Sequence, residues 1–392
     1  MAMSGALLGV VLVCAGLPPD VGIDVISRPG VPLLSATLAL PRGDVDEGHL
    51  VVVAAVMSGH RAFAEGPVAA LRRIGGTVVA RATSDGLLVT VEAPADERAA
   101  LLAAIDVLLA PFVVDGRALV DAQAAVLRAR RARAEASSSR AVAASFAAHF
   151  GDDTRARAPD IDDIALHRLA PEELTRAIAT LSVQPGRVVV VEGRDDGVIV
   201  ARPASASAPR VSSTRPRALP ESIAIVERAA TPRVVVSWPV PGALALDDAQ
   251  ALALCAAIED TLQPLGSTSA RVVGSARAAL VVVEVTGASP PAELALAVRA
   301  RLATFRDTAD AKSEARVARR VSDELAMRRA PLGETARSRA ASRLAVADRA
   351  PLTPEGGALS SIAVRALVAP DALLVTTISS TATTSTTTPS TP

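Results

Sequence analysis

Tyrosine is absent from the 392 residues, tryptophan occurs once, and aromatic residues make up only 2% of the chain. No mechanism that needs a phenol can operate here, and there is little ring surface on which nucleic-acid bases could stack. Cysteine is scarce as well: Cys14 lies in an apolar run and Cys255 in an Ala/Leu helical pattern. Two such thiols, far apart and without neighbours, make neither a disulfide framework nor a zinc ribbon. They read as small buried apolar residues. Net charge is missing too, with 41 basic residues balanced by 41 acidic ones. That balance argues against nucleic acid and against an acidic membrane surface, both of which call for clustered positive charge. Lys312 is the only lysine, so the basic residues are almost all arginine. There is no GxSxG, no GxGxxG and no phosphate-binding loop.

Half of the residues are hydrophobic, and the length accommodates two or three domains with cores of their own. Residues 4–16, SGALLGVVLVCAG, are too short an apolar run to span a bilayer as a helix. We read 1–16 as a signal-like segment, with Val13-Cys14-Ala15 supplying a small residue near a cut, although no Lys or Arg precedes the run. The expected location is then periplasmic or exported. The alternative is a buried strand in a cytoplasmic protein.

Beyond Leu17 two β-branched and Leu-rich runs, 21–27 and 33–40, are separated by the turn signal Pro29-Gly30 and read as strands. Asp44 or Asp46 then caps an apolar helix through about Met57, and a second short helix ends in Gly75-Gly76. TVVARATSDGLLVTVEA is a strand pair turning at Ser84-Asp85-Gly86. Three helices follow, in DERAALLAAIDVLLAPF, in residues 116–133 and in PEELTRAIATL, which opens on Pro171. GRVVVVEG closes this half as a buried strand.

Residues 201–220 have the Pro/Ser/Ala composition of a linker, and past them the first half recurs. Residues 74–112 align with 265–305, Gly75 matching Gly266, Glu92 matching Glu284 and Phe112 matching Phe305. LALPRGDVDEGHLVVVAAV matches SWPVPGALALDDAQALALCAAI, and PGRVVVVEG matches PDALLVTTI. One duplicated unit accounts for this register. The fold class is therefore α+β, with tandem homologous units at 17–200 and 221–379, each a mostly antiparallel sheet with helices packed on one face. Residues 380–392 are expected to be a disordered Thr/Ser tail.

A duplicated unit of this order resembles the insulinase/pitrilysin family of zinc metallopeptidases, particularly two-unit members such as the mitochondrial processing peptidase subunits. The similarity covers roughly residues 17–379. In that family the first helix carries HxxEH, two metal-binding histidines one turn apart with a water-activating glutamate between them. Anchored on Gly48 and Gly59, the five places fall on Val51, Val52, Val53, Ala54 and Ala55. The ligand places are Val51 and Ala55, and the place of the base is Ala54. The third ligand and an acidic residue seven places before it fall near Ala129 and Ala122. The family's substrate-touching Arg and Tyr correspond to TLQPLGSTSAR, where Ser269 is the nearest equivalent of the Tyr.

None of these side chains binds zinc or moves a proton. The resemblance therefore implies a catalytically degenerate member without metal or cofactor, an inactive subunit closing face to face on a partner with an intact zinc motif. A second copy of itself is the other expected partner. The glycine-led strand Gly75, Gly76, Thr77, Val78, Val79 and Ala80 is expected to hold peptide by backbone pairing, which depends little on side chains. Two alternatives remain: a standalone peptide-binding or structural protein, and an active zinc endopeptidase with relocated ligands.

For relocated ligands the histidines matter. His49 and His60, with Asp46 and Glu47, flank the helix, but lie about 16 Å apart if one helix runs through both. Zinc sites need three or four converging ligands. His149 and His167 read as surface or loop residues. Asp152-Asp153 and Asp162-Asp163 read as loop and cap acids, and the run Arg128 to Arg133 as a solvated helix face.

Overall fold

The computed structural model describes residues 17–28, 30–135, 137–151, 159–194, 201, 222–227, 233–240, 248–274, 279–305, 311–329, 336–337, 340–341 and 374–380. The signal-like segment with Cys14, Asp152-Asp153, linker residues 202–220 and tail residues 381–392 lie outside the described residues.

In chain order the first half runs β1 (Gly22–Ser27), β2 (Leu33–Pro41), α1 (Glu47–Ser58), a 3-10 turn (Arg61–Phe63), α2 (Gly66–Arg73), β3 (Thr77–Thr83) and β4 (Gly86–Pro94). It continues with α3 (Arg98–Leu109), α4 (Gly116–Glu135), α5 (Ser137–Phe150), α6 (Asp163–Arg168), α7 (Pro171–Val183) and β5 (Val188–Gly193). The second half runs β6 (Ser222–Glu227), β7 (Arg233–Val240), α8 (Asp248–Leu262), β8 (Ser267–Gly274), β9 (Ala279–Thr286), α9 (Pro291–Ala303) and α10 (Ala311–Arg329). Helical residues 336–337 and 340–341 follow, then β10 (Leu374–Ser380), which runs into the expected tail.

The two sheets have the same plan. Their orders are β1-β5-β2-β4-β3 and β6-β10-β7-β9-β8, and each strand of one has its counterpart at the same place in the other. Pairing is antiparallel except where β5 meets β1 and β10 meets β6. The runs at 21–27 and 33–40 are strands as expected but not neighbours, because β5 lies between them.

Alternation along the strands places the cores. Val189 and Val191 of β5 join the first half's own helices in one cluster, with Leu34, Ala36 and Leu38 of β2. Val188 and Val190 face the other way and pack against Ala336 and Ala340 from the second half. The second sheet repeats this: Val234, Val236 and Trp238 of β7 meet α8 and α9. Val235, Leu280 and Val282 meet Ala141, Phe146 and Phe150 of α5, which belongs to the first half. Each sheet thus has its own helices on one face, and on the other a helical segment lent by the opposite half. Strands covered on both faces read as unbroken apolar runs, which is why VVVVEG and ALVVVEVT do not alternate. Glu192, buried at the end of β5, marks the exchange: its carboxylate accepts the Ala336 N–H at 2.9 Å and pairs with Arg28 at 2.6 Å.

Candidate functional site

Three consecutive valines are poor helix formers, because branching at Cβ restricts χ1. What holds α1 together is its ends and its burial. Asp46 accepts the Gly48 N–H at 2.8 Å, and at the other end the Gly59 N–H reaches Ala55 O at 3.0 Å and Val56 O at 3.1 Å. Burial alone would raise the Asp46 carboxyl. The Gly48 N–H and the nearby His49 imidazole outweigh it and hold Asp46 below its usual value. Leu50, Val52, Val53, Val56 and Met57 are buried, each stabilising the packed helix by about 1.5–3 kcal/mol.

Val51 and Ala55, one turn apart, are only half-buried and share the helix face on which relatives of the suggested kind present histidines. Ala54, at the place of the base, is buried. Ala122 of α4 is buried in the same apolar cluster, against which Val51 and Ala55 pack. Ala129, two turns further along α4, is exposed and outside that cluster. The structure therefore gathers Val51, Ala54, Ala55 and Ala122, and leaves Ala129 at the rim. The whole constellation offers methyl and isopropyl groups and not one lone pair. Ser269, the position expected from the resemblance to stand nearest the place of a Tyr, lies exposed on β8 opposite Glu284.

His49 stands 3.5 Å from Asp46 at the start of α1, while His60 is exposed beyond its end. Among the described residues no group of three or more His, Cys, Asp or Glu is placed to hold a metal ion. Asp162 caps α6 by accepting the Ala165 N–H at 2.8 Å, and Asp163 pairs with Arg130. Arg130 and Arg133 also meet Asp160, at 3.4 and 3.5 Å, so two of the clustered arginines fasten α4 to the start of α6. His167 is exposed as expected, on α6.

His149 corrects the sequence reading. It is neither a surface nor a loop residue but lies fully buried near the end of α5, with Nε2 3.2 Å from Ser237 Oγ across the contact between the halves. Burial lowers its pKa from 6.5 to about 4, a hydrogen bond at Ser237 opposing in part. Spacing could have revealed it. Ala141, Ser145 and His149, like Val142, Phe146 and Phe150, recur every four residues along one side of a helix.

The strand expected to pair with peptide, β3, is the outer strand of its sheet. Gly75 opens it with φ +88, a left-handed conformation that favours glycine. A Cβ at Gly76 would stand 2.6 Å from Leu71 Cγ and 2.8 Å from Glu92 O. The double glycine thus serves the tight passage from α2 into β3. Thr77 and Val79 are exposed, whereas Val78 is buried. The outward backbone of Ala80 is occupied: its N–H donates to Ser58 Oγ at 2.8 Å, and its carbonyl lies 3.3 Å from the same oxygen. Sequence reasoning missed Ser58, whose partner is 22 positions away. The one local sign is a serine at the end of an apolar helix, where its hydroxyl can bond back one turn.

No family model and no curated relative matches the chain. Solved structures do. An M16-like peptidase from Alicyclobacillus acidocaldarius is similar at 15% identity and TM-score 0.65, over 93% of this chain and 97% of the other. A peptidase M16 inactive domain from Pseudomonas fluorescens is similar at 11% identity and TM-score 0.66, over 92% and 95%. A chain of complex III2 from Candida albicans, with Inz-5 bound, is similar at 12% identity and TM-score 0.67, over 91% and 93%. The duplicated α+β plan with a short apolar first helix in each half is thus the fold of the M16, insulinase/pitrilysin-type peptidases, and this chain has that fold along nearly its whole length.

Proposed function

We propose that the chain is a non-catalytic M16-fold subunit that pairs with a zinc-bearing peptidase chain and helps enclose a peptide-holding chamber. One observation carries the reading: the first helix is fully built, capped and packed, yet Val51, Ala54 and Ala55 stand where a zinc peptidase needs two imidazoles and a carboxylate. A protein that had lost its fold along with its chemistry would keep neither the caps nor the matching second sheet. Similar folds described as an inactive M16 domain and as part of a multi-subunit complex support a role for such a chain without chemistry of its own.

The net charge of zero suits partnership with another protein rather than with nucleic acid. Among the described residues no helix is long and apolar enough to cross a membrane. We extend the proposal to export, on the apolar run 4–16, and N-terminal sequencing of the mature protein checks it.

Affinity purification of the tagged chain from its own host tests the pairing. The expected result is a second chain of similar length carrying HxxEH, with zinc-dependent peptidase activity in the complex and none in the isolated chain. A strictly monomeric particle, or chelator-sensitive activity in the chain by itself, overturns it.

A further inference from the structure

Both outer strands are engaged by a side chain of the helix in front of them, in each case that helix's twelfth residue. Ser58 is the twelfth residue of α1, counted from Glu47, and Glu259 is the twelfth residue of α8, counted from Asp248. Glu259 Oε1 accepts the Ala270 N–H of β8 at 2.6 Å, while its other oxygen pairs with Arg320 of α10. Ser58 Oγ accepts the Ala80 N–H of β3 at 2.8 Å. The hydroxyl proton of Ser58 has two acceptors to choose from, Ala54 O at 2.9 Å one turn back and Ala80 O at 3.3 Å. The Ser58 carbonyl, which the end of α1 would otherwise leave without a partner, takes a hydrogen bond from Arg72 Nη2 at 3.1 Å. Ser58 is thus held from three sides while it holds the strand.

These bonds fall on the backbone groups an added strand would use. The two-residue turn at Ser84-Asp85 makes Thr83 and Gly86 a bonded pair, and bonded pairs then alternate along the hairpin. Thr77, Val79 and Arg81 therefore exchange hydrogen bonds with β4, and Val78, Ala80 and Ala82 turn their N–H and C=O groups outward. Ala80 is the middle one of the three. With its N–H taken and its carbonyl lined by a hydroxyl, no extended chain can run along β3 past this point. Sheet edges that stay open are templates for unwanted pairing, and a side chain that satisfies the edge removes the template.

We propose that Ser58 and Glu259 are edge latches, closing β3 and β8 to strand addition, so that peptide or partner is held by other means while the latches are shut. The inference concerns the free edge and stands whether or not a zinc-bearing partner exists. It is a rival to the expectation that the strand Gly75 to Ala80 pairs with a peptide backbone.

Amide hydrogen exchange on the full chain reads the latch directly. In the unaltered protein the outward amides of Ala80 and Ala270 exchange slowly. In Ser58→Ala, the Ala80 amide exchanges roughly ten-fold faster, the worth of one net hydrogen bond, while Val79, bonded to β4, is unchanged. Ser58→Thr keeps a hydroxyl and keeps Ala80 protected. Glu259→Ala does to Ala270 what Ser58→Ala does to Ala80. Fluorescence anisotropy with a labelled alternating Thr-Val peptide supplies the second reading: uptake by Ser58→Ala, none by the unaltered chain. Unchanged Ala80 exchange in Ser58→Ala, or equal peptide uptake by both proteins, overturns the proposal. Failure to find a partner chain overturns the pairing and leaves the exchange and anisotropy results untouched, so the two ideas fail separately.

Discussion

Lowering the pH should loosen the contact between the halves, and His149 gives the size of the effect. Its imidazole is fully buried on α5 next to the Phe150 ring, where Phe146 and Phe150 meet Val235, Leu280 and Val282 of the second sheet. Its Nε2 lies 3.2 Å from Ser237 Oγ, and the charged groups on that sheet face, Arg233 and Glu284, pair with each other at 3.3 Å. Burial holds the pKa at about 4 against 6.5 for an unfolded chain. The sign follows from linkage: between these values the unfolded chain binds a proton that the folded one refuses. The stability is fully present above pH 6.5 and is lost as the pH falls towards 4. Between pH 7 and pH 5 the loss is about 2 kcal/mol, at about 1.4 kcal/mol for each pH unit inside the window. The assay is urea unfolding followed by the fluorescence of Trp238, the only tryptophan, buried on β7 beside Ser237. His149→Gln keeps a donor for Ser237 and cannot titrate, while the other histidines and the carboxylates contribute alike to both proteins. The unaltered chain should lose that increment relative to His149→Gln. Parallel pH profiles for the two proteins would refute the reasoning.

Phe146→Ala removes a buried ring that one half lends to the other and should cost about 3–5 kcal/mol, visible in the same Trp238 unfolding curve although the substitution lies in the first half. Gly76→Ala forces a Cβ against Leu71 and the Glu92 carbonyl and should cost about 2 kcal/mol, read as a lower urea midpoint with an unchanged slope. Val51→His with Ala55→His places two imidazoles one turn apart on a half-buried face. Zinc at a hundred times the resulting Kd should stabilise that variant by about 2.7 kcal/mol and leave the melting of the unaltered chain where it was.

Much of the fold is legible in the sequence, and the reasons are physical. The two halves align because each strand and each first helix must present apolar residues at the same places, and that constraint survives as a register between Gly75 and Gly266 or Phe112 and Phe305. Strand ends marked by Pro29-Gly30 and Ser84-Asp85-Gly86 were plain for the same local reason. Helix α5 was not, because Ser137, Ser138, Ser139 and a scatter of alanines give little contrast between faces. Its apolar side becomes meaningful only when the opposite sheet is in place. The same holds for His149, whose burial depends on a strand nearly ninety residues away. The helix that carries Val51, Ala54 and Ala55 is legible from Asp46, Gly48 and Gly59 at its ends. The latch at Ser58 was not, since nothing in the run VVVAAVMSG says which strand its hydroxyl will meet.

The most direct measurement of the central claim is anomalous diffraction at the zinc edge from crystals of the full chain soaked in zinc. Hydrocarbon at Val51, Ala54 and Ala55 predicts no peak along α1. A tetrahedrally surrounded peak beside residues 51–55 would contradict the account.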